Sequence, residues 1–456
     1  MSRFSLLAVC CLLCLLFVPR MARANNVQIG PISLSDTTLS FTVSWENSWR
    51  ADATAPYNYD GVWLFVKYQD CASNVWNHAR IDAAVAGAPL SASTVSDQMG
   101  AFVFRSADGT GTVTNATVSL RMTGLPAGNF EFKVFGIEMV YVPEDSFYLG
   151  DAAATSRFRT GNQTTVPFYV TNDGFTAVAN SVPNLFGGTM TAGSIPEAFP
   201  MGYNAFWCMK YEISQAAYVE FLNTLTSTQA ASRYFVSTAN RYTLTGVWPT
   251  ISAGAGNRAM NFLSYPDITA WLDWAALRPM SEMEYEKACR GQVLYVPDEL
   301  AWASTLVTDA NTLANDGTPQ ETVSEVPPAN SGLVNYNNSS VLGPLRNGFG
   351  GSATTNRFTL GATYYGICEM SGNVEEFIVS AAFTTGRTFV TVHGDGALDV
   401  FGLHDVADWP IVSGTGYRGG AWNSNLSRIQ VSDRNNVNAG TNSRASDLGG
   451  RGVRNF

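Results

Sequence analysis

Few side chains in this chain combine the residue types and the spacing that metal or nucleophile chemistry requires. His393 and His404 lie eleven residues apart, and the third histidine, His78, is far from both in sequence. The stretch around the pair also carries three aspartates, Asp395, Asp399 and Asp405. Two histidines and one carboxylate can hold a non-haem iron. The alternative is that these are turn residues in an acidic surface loop.

The sequence does not indicate a catalytic nucleophile or a phosphate-binding site. No Gly-x-Ser-x-Gly elbow frames a serine, no glycine-rich phosphate loop follows a strand, and beyond residues 1–24 no CxxC pair indicates a zinc ribbon or a thioredoxin-like site. The net charge is −10 without any basic run, which excludes binding to nucleic-acid phosphates. Only 14% of residues are charged, and Asn, Thr, Ser and Gly replace them, as suits an extracellular surface.

The N-terminus has the features of a secretory signal peptide. Arg3 precedes an apolar run over 4–18, and Ala22 and Ala24 supply the small residues of a cleavage site. The run is shorter than the roughly 20 residues that span a bilayer. We therefore expect residues 1–24 to be removed and the mature protein to be secreted or held at the cell surface, or in the periplasm, without a membrane span.

Four cysteines remain after that cleavage: Cys71, Cys208, Cys289 and Cys368. In an oxidising compartment they allow three full pairings, and the sequence does not select one. Because Cys71 lies in the first of two predicted domains and the others in the second, we expect at least one thiol to stay free and buried.

Two domains follow from the hydrophobic patterns. Residues 25–136 contain period-two segments at 38–45, 62–68 and 130–135 separated by turn-rich breaks, which predict an antiparallel β-sandwich of immunoglobulin or fibronectin type. Residues 137–456 open with a strand-like segment and carry few helices, predicted at 215–225, at 267–277 and after Ser281. The last has a capping box of Ser281 and Glu284 and ends at Gly291.

Five ordered blocks in residues 137–456 resemble the formylglycine-generating-enzyme (sulfatase-modifying factor) family. Any one block would be weak evidence, but the five occur in the family's order. They are 209–214 (MKYEIS), 277–291 (LRPMSEMEYEKACRG), 365–377 (YGICEMSGNVEEF), 418–420 (RGG) and 452–454 (GVR). The resemblance implies a C-type-lectin-like α+β domain with much irregular loop.

The resemblance also implies calcium. Asn373 and Glu376 match positions that hold calcium in relatives, and Asn335 and Tyr336 match the other calcium-holding loop. Independently of the family, hard cations require several oxygen ligands, which loops rich in Asn, Asp and carbonyl groups supply. The alternative is that Asn373 caps a turn and that Glu376 is solvated.

The family's enzymes oxidise a sulfatase cysteine with two closing-segment cysteines that bind copper, because thiolates select Cu(I). Residues 421–456 of this chain contain no cysteine. Ser424 and either Leu426 or Ile429 stand near the matching positions, so no copper is expected. Glu375 and Phe377 also replace tryptophans that are usual in relatives.

These features lead to a secreted, non-catalytic binding or structural module as the first hypothesis. Trp409, Tyr417 and Trp422 would line a groove for a glycan or a protein at the cell surface, unless they pack in the core. The second hypothesis is a metal-dependent oxidoreductase with relocated ligands. The third is a subunit of an extracellular filament or surface assembly, joined through sheet edges.

Overall fold

The computed structural model describes residues 27–71, 73–338, 340–352 and 355–456, so the predicted signal peptide lies outside the described residues. This part of the chain is rich in β-structure, and its largest sheet contains twelve strands paired antiparallel. Six short α-helices accompany the strands within the described ranges. These observations confirm a mixed, β-rich fold. No helix within these ranges is both long and apolar enough to cross a membrane.

The N-terminal strands follow the predicted alternation. Strand β3 buries Leu39, Phe41, Val43 and Trp45 on one face, and it pairs with β9 over most of its length. Apolar side chains at every second position place one face of a strand against the core. The strands of this part are β1 (Gln28–Ile29), β2 (Ser33–Ser35), β3 (Thr38–Ala51), β4 (Asn58–Asp70), β5 (Trp76–His78), β6 (Arg80–Ala86), β7 (Leu90–Thr94), β8 (Ala101–Arg105) and β9 (Gly109–Thr123).

One strand connects the two predicted domains. Strand β10 (Phe130–Val142) pairs with β4 from Phe130 to Val140, and its last four residues also pair with β17 (Phe206–Met209). Strand β17 in turn pairs with β27 (Val453–Arg454) near the C-terminus. The predicted boundary between residues 136 and 137 therefore falls inside a continuous strand of the large sheet.

The predicted helices of the second part are confirmed, with shifted ends. Helix α4 begins after the Ser281 cap, has the capping box with Glu284, and ends at Gly291, which has a positive φ. The helices are α1 (Gln215–Asn223), α2 (Ser227–Arg233), α3 (Tyr265–Trp274), α4 (Glu282–Arg290), α5 (Arg357–Leu360) and α6 (Thr384–Arg387).

Short strands and long loops make up the rest of this part. The described residues between 310 and 361 form only brief strands and α5, as the Asn- and Gly-rich composition of this region predicts. The remaining strands are β11 (Phe147–Leu149), β12 (Arg159–Thr160), β13 (Phe168–Val170), β14 (Thr176–Val178), β15 (Leu185–Phe186), β16 (Gly193–Ile195), β18 (Leu244–Thr245), β19 (Ser252–Ala253), β20 (Val307–Asp309), β21 (Leu313–Ala314), β22 (Thr322–Val323), β23 (Gly332–Val334), β24 (Glu375–Val379), β25 (Thr415–Arg418) and β26 (Leu448–Gly449).

Candidate functional site

The closing segment is anchored to helix α4 through buried charge. The Arg418 guanidinium lies 2.6 Å from the Glu286 carboxylate, which also pairs with Arg290 at 3.1 Å. Gly420 follows with a φ of 64°, and a Cβ there would lie 2.7 Å from the Ile429 side chain. The Arg-Gly-Gly sequence thus fixes the path of the backbone into the segment.

Ser424 and Ile429 offer no metal ligand of the thiolate kind. The Ser424 hydroxyl accepts a hydrogen bond of 2.9 Å from the Ala421 backbone N–H, and the Ile429 side chain is fully buried. Leu426 is 40% exposed. Since residues 421–456 contain no cysteine, the chemistry of this segment is that of a hydrogen-bonded turn over an apolar core.

The cysteines lie elsewhere and are unpaired. Cys208, Cys289 and Cys368 are buried, and Cys71 is exposed. The prediction of a free, buried thiol is confirmed. Burial raises the pKa of the Cys208 thiol to about 12 and holds the pKa of Cys289 well above its ordinary value. Neither thiol is therefore poised as the thiolate that nucleophilic or copper chemistry needs.

The three aromatic residues predicted to line a groove lie in the interior. Trp409 and Trp422 donate their indole N–H to the backbone carbonyls of Val392 (2.8 Å) and Ser446 (3.1 Å). The Tyr417 hydroxyl donates to a backbone carbonyl, and its ring packs edge-on against Phe377. Their polar atoms are satisfied within the chain, as expected of core aromatics.

Two of the predicted calcium ligands meet. Asn335 Nδ2 donates to Asn373 Oδ1 at 3.2 Å, and that oxygen also accepts the Leu345 backbone N–H at 2.8 Å. Asn335 Oδ1 is buried and has no hydrogen-bond donor among the residues that the structure describes. Tyr336, the next residue, is partly buried against the core. Asn335 Oδ1 thus fits a hard cation, whereas the side-chain oxygen of Asn373 is already used.

The fourth predicted ligand, Glu376, faces a guanidinium. Arg451 Nε donates to Glu376 Oε2 at 2.8 Å, and Nη2 lies 2.8 Å from Oε1. Arg451 also donates to the backbone carbonyls of Met209 (3.0 Å) and Cys368 (2.8 Å). Both side chains are fully buried. The charge of Glu376 is therefore compensated by the chain itself.

Two of the loop aspartates meet a third that the sequence did not single out. Carboxylate oxygens of Asp273, Asp395 and Asp405 lie within 4.8 Å of one another, the one group of three ligand-type side chains this close among the residues described. No histidine belongs to this group. Asp273 is buried and accepts the Asp395 N–H at 3.0 Å, and burial raises the pKa of its carboxyl to about 7. The buried Lys67 side chain interacts electrostatically with the Asp273 carboxylate.

A cleft missed by sequence reasoning lies between the large sheet and the loops of residues 348–352 and 355–366. We call it the Trp49 cleft; its volume is about 420 Å³, which is ordinary for a small-molecule site. None of the predicted site residues lines it. Its lining includes Trp49, Asn58, Tyr211, Arg357, Leu360 and Tyr364. Its walls come from three distant stretches of sequence, so no local pattern could have indicated it.

Hydrogen bonds hold the two sides of the Trp49 cleft together. Trp49 Nε1 donates to Asn58 Oδ1 at 3.3 Å, and Asn58 Nδ2 donates to the Tyr365 carbonyl at 2.7 Å. Gly366 has a φ of 87°, and a Cβ there would lie 3.1 Å from the Trp49 ring. The loop therefore approaches the indole closely because residue 366 is glycine.

A comparison with protein families agrees with the motif blocks. The model of one family, described as the sulfatase-modifying factor enzyme 1-like domain, matches residues 138–456. Among solved structures, Treponema denticola variable protein 1 is similar to this chain with 15% identity and a TM-score of 0.33, over 70% of this chain and 95% of that chain. No curated protein matches the sequence.

Proposed function

This chain belongs to the sulfatase-modifying factor enzyme 1-like family, and we propose that it is a secreted, non-catalytic member that acts as a binding module at the cell surface. The observation that carries the proposal is the closing segment without sulfur. A hydroxyl at Ser424 and an aliphatic side chain at Ile429 cannot hold Cu(I) as two thiolates would. The buried thiols elsewhere, with raised pKa values, do not replace them.

We also propose an architecture for the two parts of the chain and a stabilising role for calcium. The sandwich of residues 25–136 would have an immunoglobulin- or fibronectin-like arrangement, and residues 137–456 a C-type-lectin-like one. Calcium would stabilise the loops near Asn335 and Asn373, and the buried Asn335 Oδ1 without a donor supports this. Arg451 supplies the positive charge beside Glu376, so calcium at that carboxylate would have to displace it.

The absence of catalysis is tested by incubating the protein with a sulfatase-derived cysteine peptide, copper and oxygen. Mass spectrometry then measures conversion of the peptide cysteine to the aldehyde. We expect no conversion and no retained copper. The double variant Ser424→Cys with Ile429→Cys is expected to gain Cu(I) binding, and Ser424→Ala with Ile429→Ala serves as its matched control. Conversion by the wild-type protein would refute the proposal.

Elemental analysis of the purified mature protein tests the other hypotheses. Retained calcium without thiol oxidation supports the module. Retained iron with oxygen uptake on a thiol peptide would favour a relocated metal site, for which Asp273, Asp395 and Asp405 are the grouped ligands. Ordered filaments in electron micrographs would favour the assembly subunit.

A further inference from the structure

The Trp49 cleft is mainly apolar but contains two cationic side chains in different electrostatic situations. Lys210 is buried and lies 3.0 Å from Glu138 and 3.3 Å from Asp60, both of which are buried as well. Because the two carboxylates of Glu138 and Asp60 compensate the Lys210 ammonium, no positive charge at Lys210 is left for a ligand. Lys210 therefore serves the structure, holding β4 and β10 against the loop that follows β17.

Arg357 is the cation of the cleft to which the described residues supply no carboxylate partner. It lines the cleft at the start of α5, its guanidinium lies 4.2 Å from the centre of the Phe358 ring, and its Nη1 is buried without a hydrogen-bond acceptor in the described part of the chain. A buried donor of a charged group that lacks an acceptor is costly, and a carboxylate can satisfy a guanidinium with two parallel hydrogen bonds.

The other walls suit a ring that can lie against aromatic surface and meet amide groups at its edge. Trp49, Tyr364 and Leu360 contribute apolar surface, while Asn47 and Asn356 bring amide groups to the exposed rim. We propose that the Trp49 cleft binds a carboxylate carried on a six-membered ring, with Arg357 pairing the carboxylate and the aromatic walls covering the ring. The proposal rests on the proposed function in that it supplies the module with a ligand class.

The charge balance favours a monoanion. Since Lys210 is neutralised within the protein, one guanidinium is left to meet the ligand, and a phosphate dianion would keep an uncompensated charge in an apolar site. A ring acid could come from a uronic-acid residue of a glycan or from an aromatic acid. Both present the same carboxylate and a ring of similar size, and their different ring chemistry separates them by experiment.

Titration calorimetry of the full mature protein tests the proposal, with sodium glucuronate, sodium phenylacetate, glucose and inorganic phosphate as probes. We expect saturable binding of at least one ring acid and none of glucose, and the tighter acid identifies the source. Arg357→Gln is expected to weaken that binding roughly tenfold to hundredfold, as loss of a charge-assisted pair does, and Arg357→Lys to restore part of it. Arg80→Gln, at an exposed residue that does not line the cleft, should change nothing.

Several results would overturn the proposal. They are the absence of saturable binding by both acids, equal binding of glucose, tighter binding of phosphate, or an Arg357→Gln variant that binds as the wild type does. Failure here is distinguishable from failure of the proposed function, because the thiol-oxidation assay reports on the closing segment and not on this cleft.

Discussion

Replacing Arg451 with methionine should destabilise the protein severely. The side chain is fully buried, faces both oxygens of Glu376, and donates to the Met209 and Cys368 carbonyls. Methionine fills a similar volume but leaves the carboxylate buried without a cation. Removal of one partner from such a pair costs about 3–5 kcal/mol, which exceeds the roughly 1 kcal/mol expected of a net neutral hydrogen bond.

Urea unfolding at pH 7, followed by circular dichroism, measures the loss. Arg121→Met is the matched control, because Arg121 pairs with Asp82 at 2.7 Å while 56% of the arginine side chain is exposed, and such pairs contribute at most about 1 kcal/mol. The double variant Arg451→Met with Glu376→Gln should recover much of the loss, since no unpaired charge stays buried. If Arg451→Met unfolds no more easily than the control, the guanidinium is not what compensates Glu376.

Three further predictions concern separate features. Gly366→Ala should destabilise the protein by about 1 kcal/mol or more and weaken ring-acid binding, because alanine is strained at this positive φ and its Cβ would press on the Trp49 ring. Gly124→Ala is the control, since Gly124 has a φ of 68° but open space around it, and it should lower the melting temperature less. Equal losses in the two variants would contradict the contact between the added Cβ and Trp49. Burial raises the pKa of Glu375 to about 7 from an ordinary 4.5, so the folded state binds more protons and the unfolding free energy should fall as pH rises through that window. Urea titrations at pH 5, 6 and 7 should show a slope that Glu375→Gln flattens by up to about 1.4 kcal/mol per pH unit, whereas an unchanged slope would refute the assignment. Ellman's reagent should modify Cys71 rapidly and the three buried thiols only after unfolding, and more than one fast thiol in the native protein would contradict their burial.

The sequence predicted the elements whose signals are local. Helix α4 follows from Ser281, Glu284 and Gly291, because a capping box and a C-terminal glycine act within one turn of the helix. The continuation of β10 past residue 136 was not predicted. The run from Met139 to Val142 pairs with β17, about seventy residues later in the chain, and such pairing leaves no signature in the alternation of a single strand.

The candidate site residues likewise fall into those that the sequence indicated and those that only the folded structure shows. Asn373 was found in a motif block and Asn335 through the resemblance of its loop to the other calcium-holding loop, and the two side chains do meet in space. Asp273 was missed because it lies in α3, far in sequence from the loop aspartates that it joins. Arg357 was missed because its distinguishing feature is a buried Nη1 without an acceptor among the described residues, which is a property of the folded neighbourhood and not of the residue type.

The shared strand bears on what the N-terminal sheet does. A separate adaptor would be joined by a linker, but β10 pairs with β4 on one side and with β17 on the other, and Lys210 of the loop after β17 forms ion pairs with Asp60 of β4. These contacts fix the sheet wall of the Trp49 cleft, and the hydrogen bond from Asn58 to the Tyr365 carbonyl ties the opposite loop wall to β4. A preformed site of this kind would lose little conformational entropy when a ligand enters, so the proposed ring-acid binding would depend on the N-terminal strands. Asp60→Asn should then weaken ring-acid binding as well as stability, although Asp60 does not line the cleft.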